Sequence, residues 1–265
     1  MSEVKIAPIP DLGQRTDEIT IYAGPCSVES AEQFDEVAEC IADLGLTWIR
    51  GGAFKPRTNP HSFQGLGEEA LKIMKSAGDR YNLKTLTEVM DSAHCQLVAD
   101  YVDGLQVGAA NFQNFSLLKK IGEVTADTHQ MVLYKRGFAG TIAEWLAATD
   151  YITDHGNTNV VLCERGIRTF ETDSRATLDV AGIAALKEQS HLPVLADPSH
   201  AAGRRELVAP LALAAAAAGA DGLMIEVHDR PEEALSDGRQ ALTCGEFARL
   251  ARRVQALTAL LRQEE

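Results

Sequence analysis

The chain has 265 residues, of which 45% are hydrophobic, and a formal net charge of -13 at pH 7. This length suits one large domain or two small ones, and the apolar share is ordinary for a globular protein with a sizeable core. The acidic balance argues against general binding to nucleic acids or anionic membranes, because like charges repel. Basic residues that bind an anionic ligand must therefore be gathered at one place.

The five cysteines show no paired spacing, so the sequence predicts no disulfide framework and indicates a reducing compartment. Residues 1–18 form a polar leader that lacks the apolar core of a signal peptide. The alanine-rich run 208–220 is too short to span a bilayer, which takes about 20 apolar residues. Its spacing predicts a buried helix with Pro210 in the first turn. These features favour a soluble, cytoplasmic protein.

Apolar runs typical of buried strands alternate with segments of helical spacing from residue 19 onwards. The first strand–helix unit pairs 19–23 with 30–44, and Ser30 is the predicted helix cap. Seven further units pair 47–51 with 68–81, 84–89 with 92–101, 104–107 with 115–121, 131–134 with 141–155, 159–163 with 178–189, 193–196 with 207–219, and 222–227 with 245–262. The pattern predicts an α/β fold, a single (β/α)8 barrel over residues 19–265, with an open doubly wound sheet as the alternative.

In a (β/α)8 barrel the chemistry lies at the carboxyl ends of the strands. Nearly every reactive or basic residue outside the predicted helices falls there, whereas the strand interiors hold almost no charge. These residues are Cys26, Arg50, Lys55, Arg57, Glu88, Gln106, Lys135, Glu164, Arg165, Asp197, His200 and Glu226. No GxGxxG follows a strand, so nothing supports dinucleotide binding.

Cys26, His200, Glu226 and Asp237 follow strands one, seven and eight, which become neighbours when a barrel closes. One thiolate, one imidazole and two carboxylates suit a divalent transition metal such as Mn, Fe, Co or Zn, and not Ca or Mg. Each residue also has a purely structural interpretation: a small buried thiol, a histidine satisfied by Asp197, an ion-paired carboxylate and a turn cap. Four such residues at a single rim favour one metal site.

Basic residues also follow the strands, and five donors at a barrel mouth suit two phosphate or carboxylate groups. The five are Arg50, Lys55, Arg57, Lys135 and Arg165. Other arginines are interpreted as members of surface salt bridges, namely Arg136, Arg168 and Arg175.

Three further residues lie close to the predicted metal ligands in sequence. Arg204 and Arg205 lie beyond His200, where they suit a second phosphate, although one of them is expected only to be solvated. His228 falls two residues after Glu226, and the pattern leaves open whether it supports the site or faces solvent.

Six motifs carry a resemblance that covers the chain from about residue 19 to its end: GPCSVES (24–30), RGGAFKPRT (50–58), YKRG (134–137), CERGIRTFE (163–171), DPSHAAGRR (197–205), and MIEVH with ALSDGRQ (224–240). Together they resemble the 3-deoxy-D-arabino-heptulosonate 7-phosphate synthases of the type I beta class. The resemblance implies a metal-dependent (β/α)8 barrel, a transferase that condenses phosphoenolpyruvate with erythrose 4-phosphate. That reaction is the first step of the shikimate pathway to aromatic amino acids.

The same resemblance implies roles for individual residues. Its metal ligands fall on Cys26, His200, Glu226 and Asp237. Its phosphoenolpyruvate contacts fall on Arg50, Lys55, Lys135 and Arg165, with Glu88 near the reacting end, and its sugar-phosphate contacts fall on Arg57 and Thr58.

The implied catalytic residues are Lys135, Glu88, His200 and Cys26. In the implied reaction the metal polarises the aldehyde, C3 of the enol phosphate attacks, water adds at C2, and phosphate leaves with C–O cleavage. With Arg165 beside it, Lys135 is the candidate proton donor to the new alkoxide.

One position departs from the family pattern. The family usually has GARN where this chain has GAANFQN (108–114), so its phosphate-binding arginine is replaced by Ala110. Loss of a charge-assisted contact costs about 1.5 to 3 kcal/mol, or roughly ten- to a hundredfold in affinity. Either a neighbouring arginine compensates, or the enzyme takes a different donor or acceptor in a specialised pathway.

Two other functions are compatible with this sequence. The related octulosonate 8-phosphate synthases have the same fold, but their motif resembles KANRSS at the position where this chain has KPRT (55–58). The second is a barrel that binds metal and phosphates without catalysis, an alternative suggested by Ala110.

About 18 residues before the first strand are too few for a separate regulatory module, so inhibition through an appended domain is not expected. The resemblance also implies a homo-oligomer, either a tetramer or a dimer.

Overall fold

The computed structural model describes residues 19–55 and 61–261. Eight parallel strands form a closed barrel in sequence order. The strands are β1 (Thr20–Gly24), β2 (Trp48–Arg50), β3 (Lys84–Glu88), β4 (Gly104–Val107), β5 (Met131–Lys135), β6 (Val160–Glu164), β7 (Val194–Ala196) and β8 (Gly222–Glu226). The predicted (β/α)8 barrel is confirmed, and the open-sheet alternative is wrong.

Helices follow the strands around the outside of the barrel. They are α1 (Ala31–Asp43), α2 (Glu68–Tyr81), α3 (Cys95–Ala99), α4 (Phe115–Thr125), α5 (Ile142–Thr153), α6 (Val180–Gln189), α7 (Pro198–Ala202), α8 (Arg205–Ala217) and α9 (Cys244–Leu261). Short 3-10 turns occur at Ser92–His94, Ala109–Asn111 and Pro231–Glu233. The predicted cap of α1 is confirmed, because the Ser30 side chain accepts a hydrogen bond from the backbone of Gln33 at 3.1 Å.

The barrel closes between its first and last strands, which pair from Thr20 opposite Gly222 to Gly24 opposite Glu226. Its interior is filled by an apolar cluster separate from the larger core beneath the helices. The cluster consists of Tyr22, Trp48, Leu86, Met131, Leu133, Val161, Cys163, Leu195 and Met224. Because charged groups are costly in such a plug, polar side chains collect at the strand ends.

Three details of the helices differ from the sequence-based predictions. Helix α7, which carries His200, was not predicted; Gly203 ends it in a left-handed conformation with φ of 68°. Helix α8 already begins at Arg205, so Pro210 lies inside it rather than in its first turn. The predicted helix 92–101 is divided into a 3-10 turn and α3.

Some predictions fall outside the described residues, namely those for the leader 1–18, for Arg57 and Thr58, and for the helix end at Arg262. All five cysteines are described and free, as predicted. Among the described helices, none is both long enough and apolar enough to cross a membrane.

Candidate active site

The site begins where β1 ends, and the backbone there requires a glycine. Gly24 has φ of 146°, and a Cβ at this position would overlap the carbonyl oxygen of Arg50. The chain then turns over the rim and buries Cys26. Since Gly24 pairs with Glu226 across the barrel seam, Cys26 lies next to the end of β8.

Four side chains meet at this point, and they are the four predicted metal ligands. One ligand atom from each of Cys26, His200, Glu226 and Asp237 lies within 4.8 Å of all the others. The thiol of Cys26 donates to Asp237 at 3.1 Å, and Nε2 of His200 lies 3.2 Å from Oε1 of Glu226. A thiol, an imidazole and two carboxylates at this spacing fit a divalent transition metal.

His200 presents the nitrogen that faces the other three donors. Its Nδ1 lies 2.7 Å from Oδ2 of Asp197, so Nδ1 holds the ring proton and Nε2 keeps its lone pair. A carboxylate behind a histidine orients metal-binding rings in this way. Burial lowers the pKa of His200, although Asp197 and Glu226 oppose the shift, so the neutral form is the main one at pH 7.

Asp197 joins this histidine to the candidate proton donor. Its Oδ2 also accepts a hydrogen bond from Nζ of Lys135 at 2.6 Å. Burial alone would raise the pKa of Asp197, but His200 and Lys135 hold it well below its ordinary value. One ionised, fully buried carboxylate oxygen therefore fixes both side chains.

Asp237 lies on the loop after β8 in a left-handed conformation, with φ of 54°. Nη2 of Arg175 donates to its Oδ1 at 2.8 Å. Burial raises the pKa of Asp237, but the hydrogen bond from Arg175 and the nearby His200 lower it below the usual range. Arg175 was interpreted as a surface salt bridge; its side chain is 40% exposed, but its partner is a candidate metal ligand.

Cys26 is protonated in the metal-free protein. Burial and the neighbouring Glu226 raise the pKa of its thiol to about 12, against the opposing charge of Lys55. Nζ of Lys55 lies 3.0 Å from the sulfur. Metal binding through this sulfur therefore requires loss of the thiol proton.

The basic residues that were predicted to bind anionic groups lie around the four donors. Arg50 donates to the carbonyl of Pro25 at 2.6 Å and lies 3.4 Å from Oε1 of Glu226. Arg165 stacks on Phe138, with 4.4 Å between the guanidinium carbon and the ring centroid. Arg50, Lys135 and Arg165 are all buried, and Lys55 is partly buried.

Two of these guanidinium groups have unused donors. Nε of Arg50 and Nη1 of Arg165 are buried without a hydrogen-bond partner among the described residues. Buried polar groups are nearly always paired in folded proteins. Unpaired N–H groups on two buried cations therefore indicate a position for an anionic ligand beside the four donors.

Glu88 ends β3 and accepts a hydrogen bond from Nε2 of Gln106 at 3.2 Å. It lies close enough to Arg50 and Lys55 for its carboxylate to act to raise the pKa of both. Its carboxylate occupies the space that a side chain at Gly108 would need. The glycine therefore allows Glu88 to face the basic residues.

Replacing Gly108 with alanine should displace Glu88, because the new methyl group overlaps its carboxylate oxygen. The fold should tolerate the change, since the end of a glutamate side chain rotates easily. If Glu88 acts at the reacting end of the donor, as the resemblance implies, we expect kcat to fall by about a hundredfold, the order of loss that a misplaced reacting group causes, with little change in Tm. Gly245→Ala is the matched control, because the nearest atom lies 3.9 Å from its added Cβ. Wild-type kcat in Gly108→Ala would show that Glu88 has no such role.

Other predicted residues lie at the edge of this arrangement. Arg204 is exposed and lines a cavity of about 440 Å3 with Arg175, Asp237 and Arg239. Arg205 pairs instead with Glu232 at 3.3 Å. The two neighbouring arginines thus have different surroundings, and only Arg204 lines this cavity.

The surface interpretation of Arg136 is wrong. Its side chain is buried and forms ion pairs with Glu164 at 3.0 Å and Asp179 at 2.8 Å. Arg168 is exposed, and its guanidinium lies 5.5 Å from the Phe138 ring centroid. The error at Arg136 arose because sequence alone does not reveal which rim arginine lies under a loop.

His228 is buried rather than solvated. Its ring lies 2.9 Å from Asp229 and 3.6 Å from Glu29, so its recorded contacts are not with the four donors. Ala110 is exposed on the 3-10 turn after β4.

The sequence-based reasoning assigned no role to Gln240, although its side-chain amide is fully buried against Glu226. The sequence signal that could have identified it is its position at the end of the motif ALSDGRQ (234–240).

Known proteins resemble this chain over most of its length. The sequence profile of the DAHP synthetase I family matches residues 12–263. A phospho-2-dehydro-3-deoxyheptonate aldolase from Thermotoga maritima is 49% identical over 242 residues, which cover 91% of this chain and 70% of the relative. A 2-dehydro-3-deoxyphosphooctonate aldolase from Nitrobacter hamburgensis is 33% identical over 281 residues, or 97% and 95% of the two chains.

Solved structures agree with the sequence matches. The crystal structure of the Thermotoga maritima phospho-2-dehydro-3-deoxyheptonate aldolase (DAHP synthase) has a TM-score of 0.90 at 47% identity, covering 95% of this chain and 73% of the other. A truncated 3-deoxy-D-arabino-heptulosonate 7-phosphate synthase from the same organism has a TM-score of 0.86 at 44% identity, covering 95% and 92%. With its barrel, its rim residues and its sequence in agreement, the chain belongs to the DAHP synthetase I family.

Proposed function

We propose that this chain is a 3-deoxy-7-phosphoheptulonate synthase, which condenses phosphoenolpyruvate with erythrose 4-phosphate and releases phosphate in the shikimate pathway. Family membership supports the reaction class. The observation that carries the proposal is the meeting of four metal-type donors with buried cations at the carboxyl end of the barrel. This combination suits one carbonyl substrate and one phosphorylated carboxylate.

The donors Cys26, His200, Glu226 and Asp237 would hold the divalent ion, which we propose to be Mn, Fe, Co or Zn because a thiol takes part. When bound, such an ion supplies Lewis acidity towards a carbonyl oxygen. The protein contributes the orientation of its ligands, through the bond of Asp197 to the histidine ring.

Phosphoenolpyruvate carries a phosphate and a carboxylate, and both need cationic partners. The side chains that would bind them are Arg50, Lys55, Lys135 and Arg165, two of which have buried N–H groups without a partner in the described part of the chain. The forked N–H donors of an arginine guanidinium suit such planar or tetrahedral anions.

Arg57 and Thr58 are proposed to bind the sugar phosphate, and Arg204 is proposed to bind a second phosphate.

Lys135 is proposed to give a proton to the alkoxide that forms at the former aldehyde. Its ammonium group is held by Asp197 at 2.6 Å, which fixes its position while leaving it other N–H bonds. Glu88, near Arg50 and Lys55, is proposed to act near the reacting end of the donor. The enzyme is further proposed to be cytoplasmic and a homo-oligomer, either a tetramer or a dimer.

A second candidate is synthesis of the octulosonate phosphate from arabinose 5-phosphate. It is favoured by relatives such as the Nitrobacter hamburgensis 2-dehydro-3-deoxyphosphooctonate aldolase, at 33% identity. The exposed alanine at position 110 also leaves a different donor or acceptor open. The higher identity to the heptonate enzyme, at 49%, favours erythrose 4-phosphate.

The test is phosphate release from phosphoenolpyruvate with either erythrose 4-phosphate or arabinose 5-phosphate. We expect turnover with the four-carbon sugar, loss of turnover after chelation, and recovery when Mn2+ is added back. Faster turnover with arabinose 5-phosphate would favour the second candidate. Absence of turnover with any aldose phosphate in the presence of metal would favour a non-catalytic barrel.

A further inference from the structure

The two carboxylate oxygens of Glu226 lie in different surroundings. Oε1 faces the donor group, 3.2 Å from Nε2 of His200 and 3.4 Å from Nη1 of Arg50. Oε2 accepts a hydrogen bond from Nε2 of Gln240 at 2.6 Å. Both Glu226 and Gln240 are completely buried, so solvent does not compete for this contact.

The direction of this hydrogen bond follows from chemistry. An ionised carboxylate only accepts hydrogen bonds, so the Gln240 amide must turn its NH2 group, and not its oxygen, towards Glu226. The amide oxygen of Gln240 is buried without a partner among the described residues. The glutamine thus leaves one of its own polar atoms unpaired in order to hold Oε2, which is costly in an ordinary core position.

The backbone of Gln240 ties the same contact to a second candidate ligand. Its N–H donates to the carbonyl of Asp237 at 3.1 Å, closing the turn that carries this aspartate. Shortly afterwards Leu242 donates to the carbonyl of Glu226 at 2.9 Å. One short segment therefore links the turn at Asp237, the side chain of Gln240 and the end of β8.

We propose that Gln240 is a positioning residue that occupies Oε2 of Glu226, so that the carboxylate offers the metal only Oε1. The proposal rests on the metal dependence proposed above. A carboxylate with both oxygens free can bind an ion through one oxygen or two, and the number changes with small rotations. Holding one oxygen fixes the ligand count, and hydrogen bonds of this kind commonly contribute ten- to a hundredfold in metal affinity.

Gln240→Met tests the proposal, because methionine has a similar length and cannot donate. Metal-free wild type and variant are titrated with Co2+ while the absorption of the bound ion is followed. We expect binding about ten- to a hundredfold weaker in the variant, together with weaker d–d absorption if Glu226 binds through both oxygens and raises the coordination number. At saturating metal, KM for phosphoenolpyruvate should change less than kcat.

Gln130→Met is the matched control. Its side-chain amide bonds to the carbonyls of Ala99 and Val102 at the opposite end of the barrel, so Co2+ affinity should equal that of the wild type. If Gln240→Met does not fold, the decision falls to Gln240→Asn, which keeps the amide but withdraws it by one methylene and should show a smaller loss. Wild-type affinity and spectrum in a folded Gln240 variant would overturn the proposal. Failure of the wild type to bind Co2+ would instead contradict the proposed metal dependence.

Discussion

Replacing Lys135 with methionine is expected to lower kcat by about 10²- to 10⁴-fold, the usual contribution of a positioned general acid. Metal content should stay intact, because Lys135 contacts Asp197 rather than any of the four donors. The methionine fills a similar volume in a buried position but supplies neither a proton nor a positive charge. Activity and bound metal should be measured on the same preparation, below the Tm of the variant.

Lys187→Met is the control for loss of a lysine–aspartate pair as such. Lys187 lies 2.6 Å from Asp221 on the outside of the barrel, with 39% of its side chain exposed. An exposed pair of this kind contributes little to stability, so kcat should equal that of the wild type. Near-normal turnover in Lys135→Met would rule out the proposed proton donor. Loss of metal along with activity would instead indicate a structural role through Asp197.

Metal affinity of the metal-free protein is expected to rise with pH, by roughly tenfold per pH unit between about pH 6.5 and 9. The pKa of the Cys26 thiol is raised to about 12, mainly by burial and by Glu226. The thiol is therefore protonated throughout this range, and binding as a thiolate releases one proton. The pKa of His200 is lowered from its ordinary value. The imidazole is therefore already neutral in this pH range, and its binding to the metal releases few protons.

Co2+ titrations at several pH values, with proton release followed in a weak buffer, measure this dependence. Cys26→Ser should bind more weakly and lose much of the slope, because a hydroxyl does not become a thiolate. Cys95→Ser is the control: that thiol is also buried, and the pKa of Cys95 is raised to about 11 by burial, but it lies outside the donor group. An affinity independent of pH in the wild type would exclude Cys26 as a thiolate ligand.

Most of the fold is encoded in patterns that can be detected along the sequence. Apolar runs bounded by glycine and polar loops mark the strands, and the six motifs fall at or just after their carboxyl ends. The closeness of Cys26, His200 and Glu226 was predictable, because strands one, seven and eight must be neighbours in a closed barrel. Helix α7 was missed because its five residues are too short for a periodic signal.

Side-chain pairing between loops was not predictable from the sequence. Arg175 comes before β7 and Asp237 follows β8, yet they form one ion pair at 2.8 Å. Arg136 has the same residue type and a similar position after a strand, but it is buried between Glu164 and Asp179. Sequence spacing specifies where a strand ends, whereas the direction of a rim side chain depends on how the following loop folds over it.

The sequence by itself determined the barrel, its family and the kinds of side chain at its carboxyl end, because hydrophobic periodicity and residue type can be detected in the order of residues alone. Only the tertiary structure decided which oxygen of Glu226 faces the donor group, and that Gln240 holds the other at 2.6 Å. That choice depends on a turn that returns the chain to the end of β8 after Asp237. A difference of a single rotation in a buried carboxylate leaves no trace in the order of residues.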